Sequence, residues 1–184
     1  MVEMSTPLCD FGKKAENFKL KGTDSKMWSL KDCMGEKGLL VMFICNHCPY
    51  VRALLDKLVV ETDVLMTKGI GCVAINPNDY ISFPEDSFEN MIKVSKKFGF
   101  GFPYLIDESQ EIAKTYNSIC TPDFFGFNKD LQLQYRGRFD DRGAKQITNP
   151  NQSDLFKAMF MIARTGIGPV EQLSSVGCSI KWRR

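Results

Sequence analysis

Two cysteines and the single histidine of the chain lie within one short segment, Cys45-Asn46-His47-Cys48. Thiols at this spacing can form a disulfide with each other, and one of them can displace a substrate that is bound to the other. An apolar run, 39–44, comes directly before the pair, and a segment with helical spacing follows it. In a chain without a recognisable secretion signal, this strand-to-helix context predicts a thiol–disulfide redox site.

The position of the pair at a predicted helix start suggests a different role for each sulfur. The N-terminus of a helix carries N–H groups without intrahelical partners and a partial positive charge, and both stabilise a thiolate. On this geometry we expect Cys45 to be the exposed attacking sulfur and Cys48 the inner, resolving sulfur. His47 could lower the thiol pKa further when it is protonated, or relay a proton when it is neutral. Pro49 disfavours helical geometry at Cys48, so the helix is expected to start at or just after Pro49.

A Cys-x-x-Cys pair is also half of a structural zinc site, which is the main alternative to redox chemistry. The sequence contains no second Cys-x-x-Cys pair and no second histidine. A complete site would have to recruit distant cysteines such as Cys120 and Cys178. We therefore expect no metal and no cofactor, and a metal- or iron–sulfur-binding module remains as the non-enzymatic hypothesis.

The composition is that of an ordinary globular protein large enough for one domain. The 24 basic and 22 acidic residues leave a net charge of +2, which gives no electrostatic reason to expect nucleic acid as a partner. No apolar run is long enough to span a membrane. The seven cysteines cannot all pair within one chain, and their scatter predicts a reducing compartment. Because no signal peptide is recognisable, we expect a cytoplasmic location.

Hydrophobic patterning predicts strands that alternate with helices. Strands are expected at 39–44, 70–76, 103–106, 123–128 and 131–139, helices at 50–68, 85–98, 108–117 and 153–163, and a β-hairpin within 18–30. This order predicts an α/β fold with a central mixed β-sheet and helices on both faces. Residues 1–163, including the N-terminal hairpin, are expected to form one domain, and 164–184 a C-terminal extension packed on or trailing it. A charged series after the last strand is expected to be a solvated surface (Arg136, Arg138, Asp140, Asp141 and Arg142).

Several motifs resemble the thioredoxin-like superfamily, and more closely its redoxin or alkyl hydroperoxide reductase/thiol-specific antioxidant (AhpC/TSA) branch. The similarity is carried by 15–20, by the motif 45–51, by Thr121-Pro122 and by the ending 177–182. The resemblance implies a thioredoxin-like fold in which Pro122 is cis and faces the cysteine pair. It also implies that Thr121 offers backbone hydrogen bonds to an extended substrate chain.

Two features of that superfamily are missing from this sequence. The strand 39–44 lacks the buried acid that thioredoxin carries there, so the proton acceptor for Cys48 is not identified. The peroxiredoxin pattern of Pro, then Thr or Ser, before the reactive cysteine is also absent. Peroxidase chemistry is therefore the second hypothesis rather than the first.

Two further cysteines have open roles. Cys120 lies two residues before Pro122, where it could be a third redox partner near Cys45 or a small residue that fills the base of the loop. Cys178 lies on the extension, and a resolving role is one alternative for it.

The leading prediction is a thiol–disulfide oxidoreductase in which Cys45 attacks and Cys48 resolves, supported by His47, Thr121 and Pro122. Its substrate would be a disulfide-containing protein or small molecule, and a thioredoxin or glutathione system would recycle it. The alternatives are a thiol-dependent peroxidase with antioxidant activity and the metal- or iron–sulfur-binding module.

Overall fold

A seven-stranded mixed sheet lies at the centre of the computed structural model, which describes residues 2–141, 143–145 and 152–183. In chain order the strands are β1 (Glu3–Ser5), β2 (Lys19–Gly22), β3 (Met27–Ser29), β4 (Gly38–Phe43), β5 (Ile70–Asn76), β6 (Tyr104–Ile106), β7 (Cys120–Thr121), β8 (Asp123–Asn128), β9 (Leu133–Tyr135) and β10 (Val176–Ser179). The helices are α1 (Leu30–Cys33), α2 (Pro49–Thr67), α3 (Phe88–Phe98), α4 (Glu111–Thr115) and α5 (Asp154–Thr165). A one-turn 3-10 helix spans Pro84–Asp86.

The order of strands in this sheet is β3-β2-β6-β5-β4-β8-β9. Strand β4 pairs in parallel with β5 and antiparallel with β8, which makes the sheet mixed. Every residue of β4 is buried because its side chains enter a core on each face of the sheet. Leu40 and Met42 belong to one core, and Val41 and Phe43 belong to the other. The continuous apolar run in the sequence is therefore the signature of a strand covered on both faces.

Helices cover both faces of the sheet, as predicted. Helices α2, α3 and α5 contribute buried side chains to the core that contains Leu40, whereas α1 and α4 contribute to the core that contains Val41. The α/β fold with a mixed central sheet and an N-terminal hairpin, β2–β3, is confirmed. Within the described ranges, no helix combines the length and apolar character needed to cross a membrane.

Some predicted elements are shorter than the sequence suggested. The helix expected over 85–98 starts as the 3-10 turn and becomes α3 only after the cap residue Ser87. The helix expected over 108–117 is shortened to α4. Its N-cap residue, Gln110, has a left-handed backbone conformation with φ 63°, so the helix begins only after this residue. The Asp107 carboxylate accepts a hydrogen bond from the Ala113 N–H at 2.9 Å.

A second, three-stranded sheet joins the two ends of the described chain to the strand before Pro122. Its order is β1-β10-β7, and both pairings are antiparallel. In the described part of 164–184, β10 is thus paired on both of its edges. This segment carries Cys178 to the region of the cysteine pair.

Candidate active site

The cysteine pair lies where β4 ends and α2 begins. Cys48 is the N-cap residue of α2 and Pro49 is its first residue, so the helix starts where the sequence predicted. Cys45 lies in the connecting segment, before the helix. The expectation that Cys45 is exposed is wrong, since the relative accessibility is 2% for Cys45 and 0% for Cys48.

The segment around Pro122 covers both sulfurs. The Thr121–Pro122 peptide bond is cis, as the family resemblance implies. Cys45 Sγ lies 3.1 Å from the hydroxyl oxygen of Thr121, and Cys48 Sγ lies 3.2 Å from the carbonyl oxygen of the same residue. Thr121 therefore contacts one sulfur through its side chain and the other through its backbone.

Cys48 is the sulfur at which negative charge is favoured. The pKa of Cys48 is lowered to about 5. The largest cause is a hydrogen bond from the Cys45 thiol; burial opposes it, and the Cys178 thiol and the backbone N–H groups of Val51 and Cys178 act in the same direction as Cys45. A protonated Cys48 could instead donate to the Thr121 carbonyl. It could also donate to Cys178 Sγ, which lies 2.9 Å away. The backbone N–H groups of Val51 and Cys178 can only donate, and the thiols of Cys45 and Cys178 can donate as well, so the thiolate is the better matched form.

Cys45 is held in the opposite state. Burial raises the pKa of Cys45 well above its ordinary value, and its hydrogen bond to Cys48 and the negative charge of Asp86 raise it further. The expected activation of Cys45 by the helix N-terminus is therefore not seen. The N–H groups of the first turn are available at Cys48, where the helix starts, and not at Cys45.

A buried carboxylate that sequence reasoning missed, Asp86, supports the loop between the cysteines. Its Oδ2 lies 2.6 Å from His47 Nδ1 and accepts a hydrogen bond from the Asn78 side chain at 2.8 Å. Its Oδ1 accepts a hydrogen bond from the Asn46 N–H at 2.7 Å. Asp86 is 0% exposed. The hydrogen bond to Asp86 raises the pKa of His47, and the imidazole ring stacks on Phe83 with the ring centroids 5.8 Å apart. His47 is thus anchored by Asp86.

Three side chains at this site could hold a metal ion. Cys45, His47 and Asp86 each offer one ligand atom, and these atoms lie within 4.8 Å of one another. Sulfur, nitrogen and oxygen ligands of these types suit zinc, although a structural zinc site uses four. This candidate set differs from the one predicted, because it joins His47 and Asp86 to Cys45 and includes neither Cys48 nor Cys120 and Cys178.

The two remaining candidate cysteines are placed differently. Cys178 Sγ lies 2.9 Å from Cys48 Sγ. Cys120 is fully buried, and its sulfur lies 3.6 Å from the Pro122 carbonyl oxygen. Because successive side chains in a strand point to opposite faces and Thr121 points to Cys45, Cys120 points away from Cys45. The structure brings Cys178 to the pair and directs Cys120 elsewhere.

A buried ion pair lies behind the cis-proline loop. Arg136 donates to the Asp123 carboxylate at 3.0 Å and to the Asn117 carbonyl at 2.8 Å. Arg136 is only 6% exposed, so the expectation that it belongs to a solvated surface is wrong; the fully buried Asp123 draws it inside. Arg142, from the same predicted surface, lies outside the described residues.

Comparison with known proteins identifies the family. Residues 11–136 match the model of the AhpC/TSA family. Over 128 residues the chain is 30% identical to the thiol-disulfide oxidoreductase ResA of Bacillus thuringiensis, a match that covers 66% of this chain and 65% of that relative's length.

Two solved structures are similar over nearly their whole length. An uncharacterized conserved protein from Geobacillus kaustophilus is 40% identical, with a TM-score of 0.90 and coverage of 100% of this chain and 97% of that one. A hypothetical protein from Sinorhizobium meliloti is 35% identical, with a TM-score of 0.91 and coverage of 97% of both chains. Because the family model matches well over half of the sequence, the chain belongs to the AhpC/TSA family.

Proposed function

We propose that the protein is a thiol–disulfide oxidoreductase whose Cys45–Cys48 pair cycles between dithiol and disulfide. The observation that carries this proposal is the position of the two sulfurs at the junction of β4 and α2, where both contact Thr121: Cys45 Sγ lies 3.1 Å from its hydroxyl oxygen and Cys48 Sγ lies 3.2 Å from its carbonyl oxygen. The lowered pKa of Cys48 favours its thiolate. A thiolate beside a second thiol has the two groups that disulfide exchange requires. The similarity to ResA, which is named as such an enzyme, supports the same activity.

The lowered pKa of Cys48 supports this residue as the attacking sulfur, so the proposed roles differ from those predicted from the sequence. The Cys48 thiolate attacks one sulfur of a substrate disulfide and forms a mixed disulfide, and the other substrate sulfur leaves as a thiolate. Cys45 then loses its proton and attacks the Cys48 sulfur, which releases the second substrate thiolate. Two electrons pass to the substrate, and the Cys45–Cys48 disulfide remains.

The Cys45 proton needs an acceptor during the second step. An oxygen of the Asp86 carboxylate and a ring nitrogen of His47 both lie within 4.8 Å of Cys45 Sγ. This distance can be bridged by one water molecule or closed by a small movement. The Asp86–His47 pair is thus the proposed acceptor of this proton.

Access to the sulfurs requires a movement, because neither is exposed. A cleft of about 290 Å³ lies beside the cis-proline loop and is lined in part by Tyr50, Pro122, Phe139 and Val176. This cleft is the proposed approach for a disulfide-containing protein or small molecule. A thioredoxin or glutathione system would return the pair to the dithiol, and the cytoplasm would supply either reductant.

Turnover of a disulfide substrate tests the proposal. Cys48→Ser should abolish reduction of insulin disulfides by dithiothreitol, and Cys45→Ser should stop at a mixed disulfide on Cys48. Cys72→Ser is the matched control, since Cys72 is buried in β5 outside the site. Full turnover by Cys48→Ser protein would refute the proposal, and a mixed disulfide trapped on Cys45 in that variant would restore the roles predicted from the sequence.

A second candidate is a thiol-dependent peroxidase, which the AhpC/TSA match favours. The Cys48 thiolate would attack a peroxide oxygen and become a sulfenic acid, and an alcohol or water would leave. Cys45 would then displace water and form the same disulfide. Peroxide consumption no faster than that of an ordinary free thiol would remove this candidate.

A third candidate is a non-enzymatic metal-binding module, which the cluster of Cys45, His47 and Asp86 favours. Protein purified without chelator would then contain metal in stoichiometric amount and lose it in the His47→Gln variant. A metal-free, colourless preparation would argue against this candidate.

A further inference from the structure

Strand β10 occupies the backbone edge at which a substrate chain was expected. Thr121 was predicted to offer its backbone hydrogen bonds to an extended substrate. In the structure that edge pairs with β10, with Cys178 directly opposite Thr121 and Ser179 opposite Cys120. Residues directly opposite each other in an antiparallel pair place their side chains on the same face. Cys178 is therefore presented to the cysteine pair in the manner of a bound substrate cysteine.

The sulfur of Cys178 reaches Cys48. The two Sγ atoms lie 2.9 Å apart. On its other side Cys48 is close to Cys45, since both sulfurs contact Thr121, at 3.2 Å and 3.1 Å. Cys48 is thus the central sulfur of three, with one thiol partner from its own loop and one from β10. A central sulfur with two neighbours can exchange one disulfide partner for the other.

Contacts on both sides of Cys178 hold β10 in this position. The Ser175 hydroxyl donates to the Pro122 carbonyl at 2.9 Å, and the Lys181 N–H donates to the Asn78 side chain at 2.9 Å. Gly177 allows the close approach, because a Cβ at that position would lie 2.3 Å from the Thr121 carbonyl oxygen. Cys178 is therefore fixed against the site and does not sample it from a loose tail.

We propose that Cys178 is a third redox-active cysteine, which forms an alternative intramolecular disulfide with Cys48. This inference rests on the proposed oxidoreductase function. After turnover has left the Cys45–Cys48 disulfide, Cys178 loses its proton and attacks Cys48 Sγ. The Cys48–Cys178 bond forms, the Cys45–Cys48 bond breaks, and Cys45 leaves as a thiolate that takes up a proton. The exchange conserves the number of disulfides, so it needs no external oxidant or reductant.

Disulfide mapping in a chain that lacks Cys45 tests this inference. The Cys45→Ala protein is equilibrated in graded dithiothreitol redox buffers, its free thiols are trapped with iodoacetamide, and its peptides are identified by mass spectrometry. We expect the Cys48–Cys178 disulfide in most chains under oxidising conditions and its loss under reducing conditions. The double variant Cys45→Ala/Cys178→Ser should keep a free thiol at Cys48, and Cys72→Ala in the wild-type background should change nothing.

Free thiols at both Cys48 and Cys178 in the oxidised Cys45→Ala protein would overturn the inference. If that variant does not fold, the wild-type chain gives the answer: a Cys48–Cys178 peptide that never appears at any redox poise overturns it too. If the wild-type chain forms only the Cys45–Cys48 disulfide, the redox role of Cys178 is refuted and the proposed oxidoreductase function stands. If Cys48 forms no disulfide in the wild-type chain, the proposed function is refuted as well.

Discussion

Asp86 Oδ2 lies 2.6 Å from His47 Nδ1, although 39 positions separate the two residues in sequence. The same carboxylate accepts the Asn46 N–H, so one buried acid holds both residues that lie between the cysteines. The conformation of the Cys-x-x-Cys loop is thus set partly by the 3-10 turn that precedes α3. The loop between Cys45 and Cys48 is therefore held by buried hydrogen bonds and is not a free surface loop.

The His47–Asp86 contact predicts a pH-dependent contribution to stability. The hydrogen bond to Asp86 raises the pKa of His47 above its ordinary value of 6.5, so the protonated imidazole stabilises the folded state. That contribution is fully present below pH 6.5 and is lost as the pH rises through the raised folded-state pKa. We expect urea denaturation of reduced wild-type and His47→Gln proteins to give free energies of unfolding that converge with rising pH. His47 is the only histidine, so no other imidazole contributes; a difference that grew with pH would contradict the prediction.

The lowered pKa of Cys48 predicts that this cysteine is a thiolate at mildly acidic pH. Thiolate absorbance at 240 nm should appear around a pKa of about 5 in the reduced wild-type protein. Cys48→Ser should remove this transition. Cys45→Ala should move it to higher pH, because the thiol that donates to Cys48 is lost. Cys72→Ser should leave it in place, whereas a transition that survives in Cys48→Ser and disappears in Cys45→Ala would assign the charge to Cys45.

The buried ion pair between Arg136 and Asp123 predicts a large loss of stability when it is broken. Arg136→Met leaves the fully buried carboxylate without its guanidinium partner, and such a change costs about 3–5 kcal/mol. The matched control is Lys129→Met, which breaks the exposed pair with Asp130 and should cost less than about 1 kcal/mol. Urea denaturation of the three proteins measures both differences. Similar losses in the two variants would show that the Arg136 pair contributes no more than a surface pair.

The close contact between Gly177 and Thr121 predicts that the position of β10 controls disulfide formation by Cys178. A Cβ added by Gly177→Ala would meet the Thr121 carbonyl oxygen, so β10 must move away from β7. The fraction of chains with a Cys48–Cys178 disulfide should then fall severalfold, while the Cys45–Cys48 disulfide still forms. Val176→Ala is the control on the same strand, because it keeps a Cβ and the Val176 side chain is 38% exposed. An unchanged Cys48–Cys178 fraction in Gly177→Ala would contradict the role assigned to this contact.

The elements that carry the cysteine pair could be predicted because their patterns are local. The apolar run of β4 and the wide apolar face of α2 are visible without tertiary information, and Pro49 marks the helix start. The position of the cis-proline loop came from the family resemblance and not from periodicity. The roles of the two sulfurs depend on which cysteine receives the N–H groups of the first turn, and the sequence alone does not show this. Which sulfur attacks stays a prediction that the variants at Cys45 and Cys48 test.

The rest of the site depends on contacts between distant segments. Asp86 had no signal beyond an acidic residue near a helix start, and only the packing of that turn against the loop brings it to His47. Cys178 lies in a four-residue strand without clear periodicity, whose partners are β1 and β7. Arg136 looked like part of a charged surface because its partner, Asp123, is buried only in the folded sheet. The paired residues lie 13, 39 and 130 positions apart in sequence for Arg136–Asp123, His47–Asp86 and Cys48–Cys178, so local patterns do not reveal them.

The most direct test of the central claim is a redox titration of the wild-type protein, with thiols trapped and disulfides mapped by mass spectrometry across graded dithiothreitol buffers. We expect the Cys45–Cys48 disulfide to form and open reversibly, and Cys48 to be present in every disulfide that forms. A protein whose Cys45 and Cys48 stay reduced in the most oxidising buffer, or whose first disulfide excludes Cys48, would contradict the central claim.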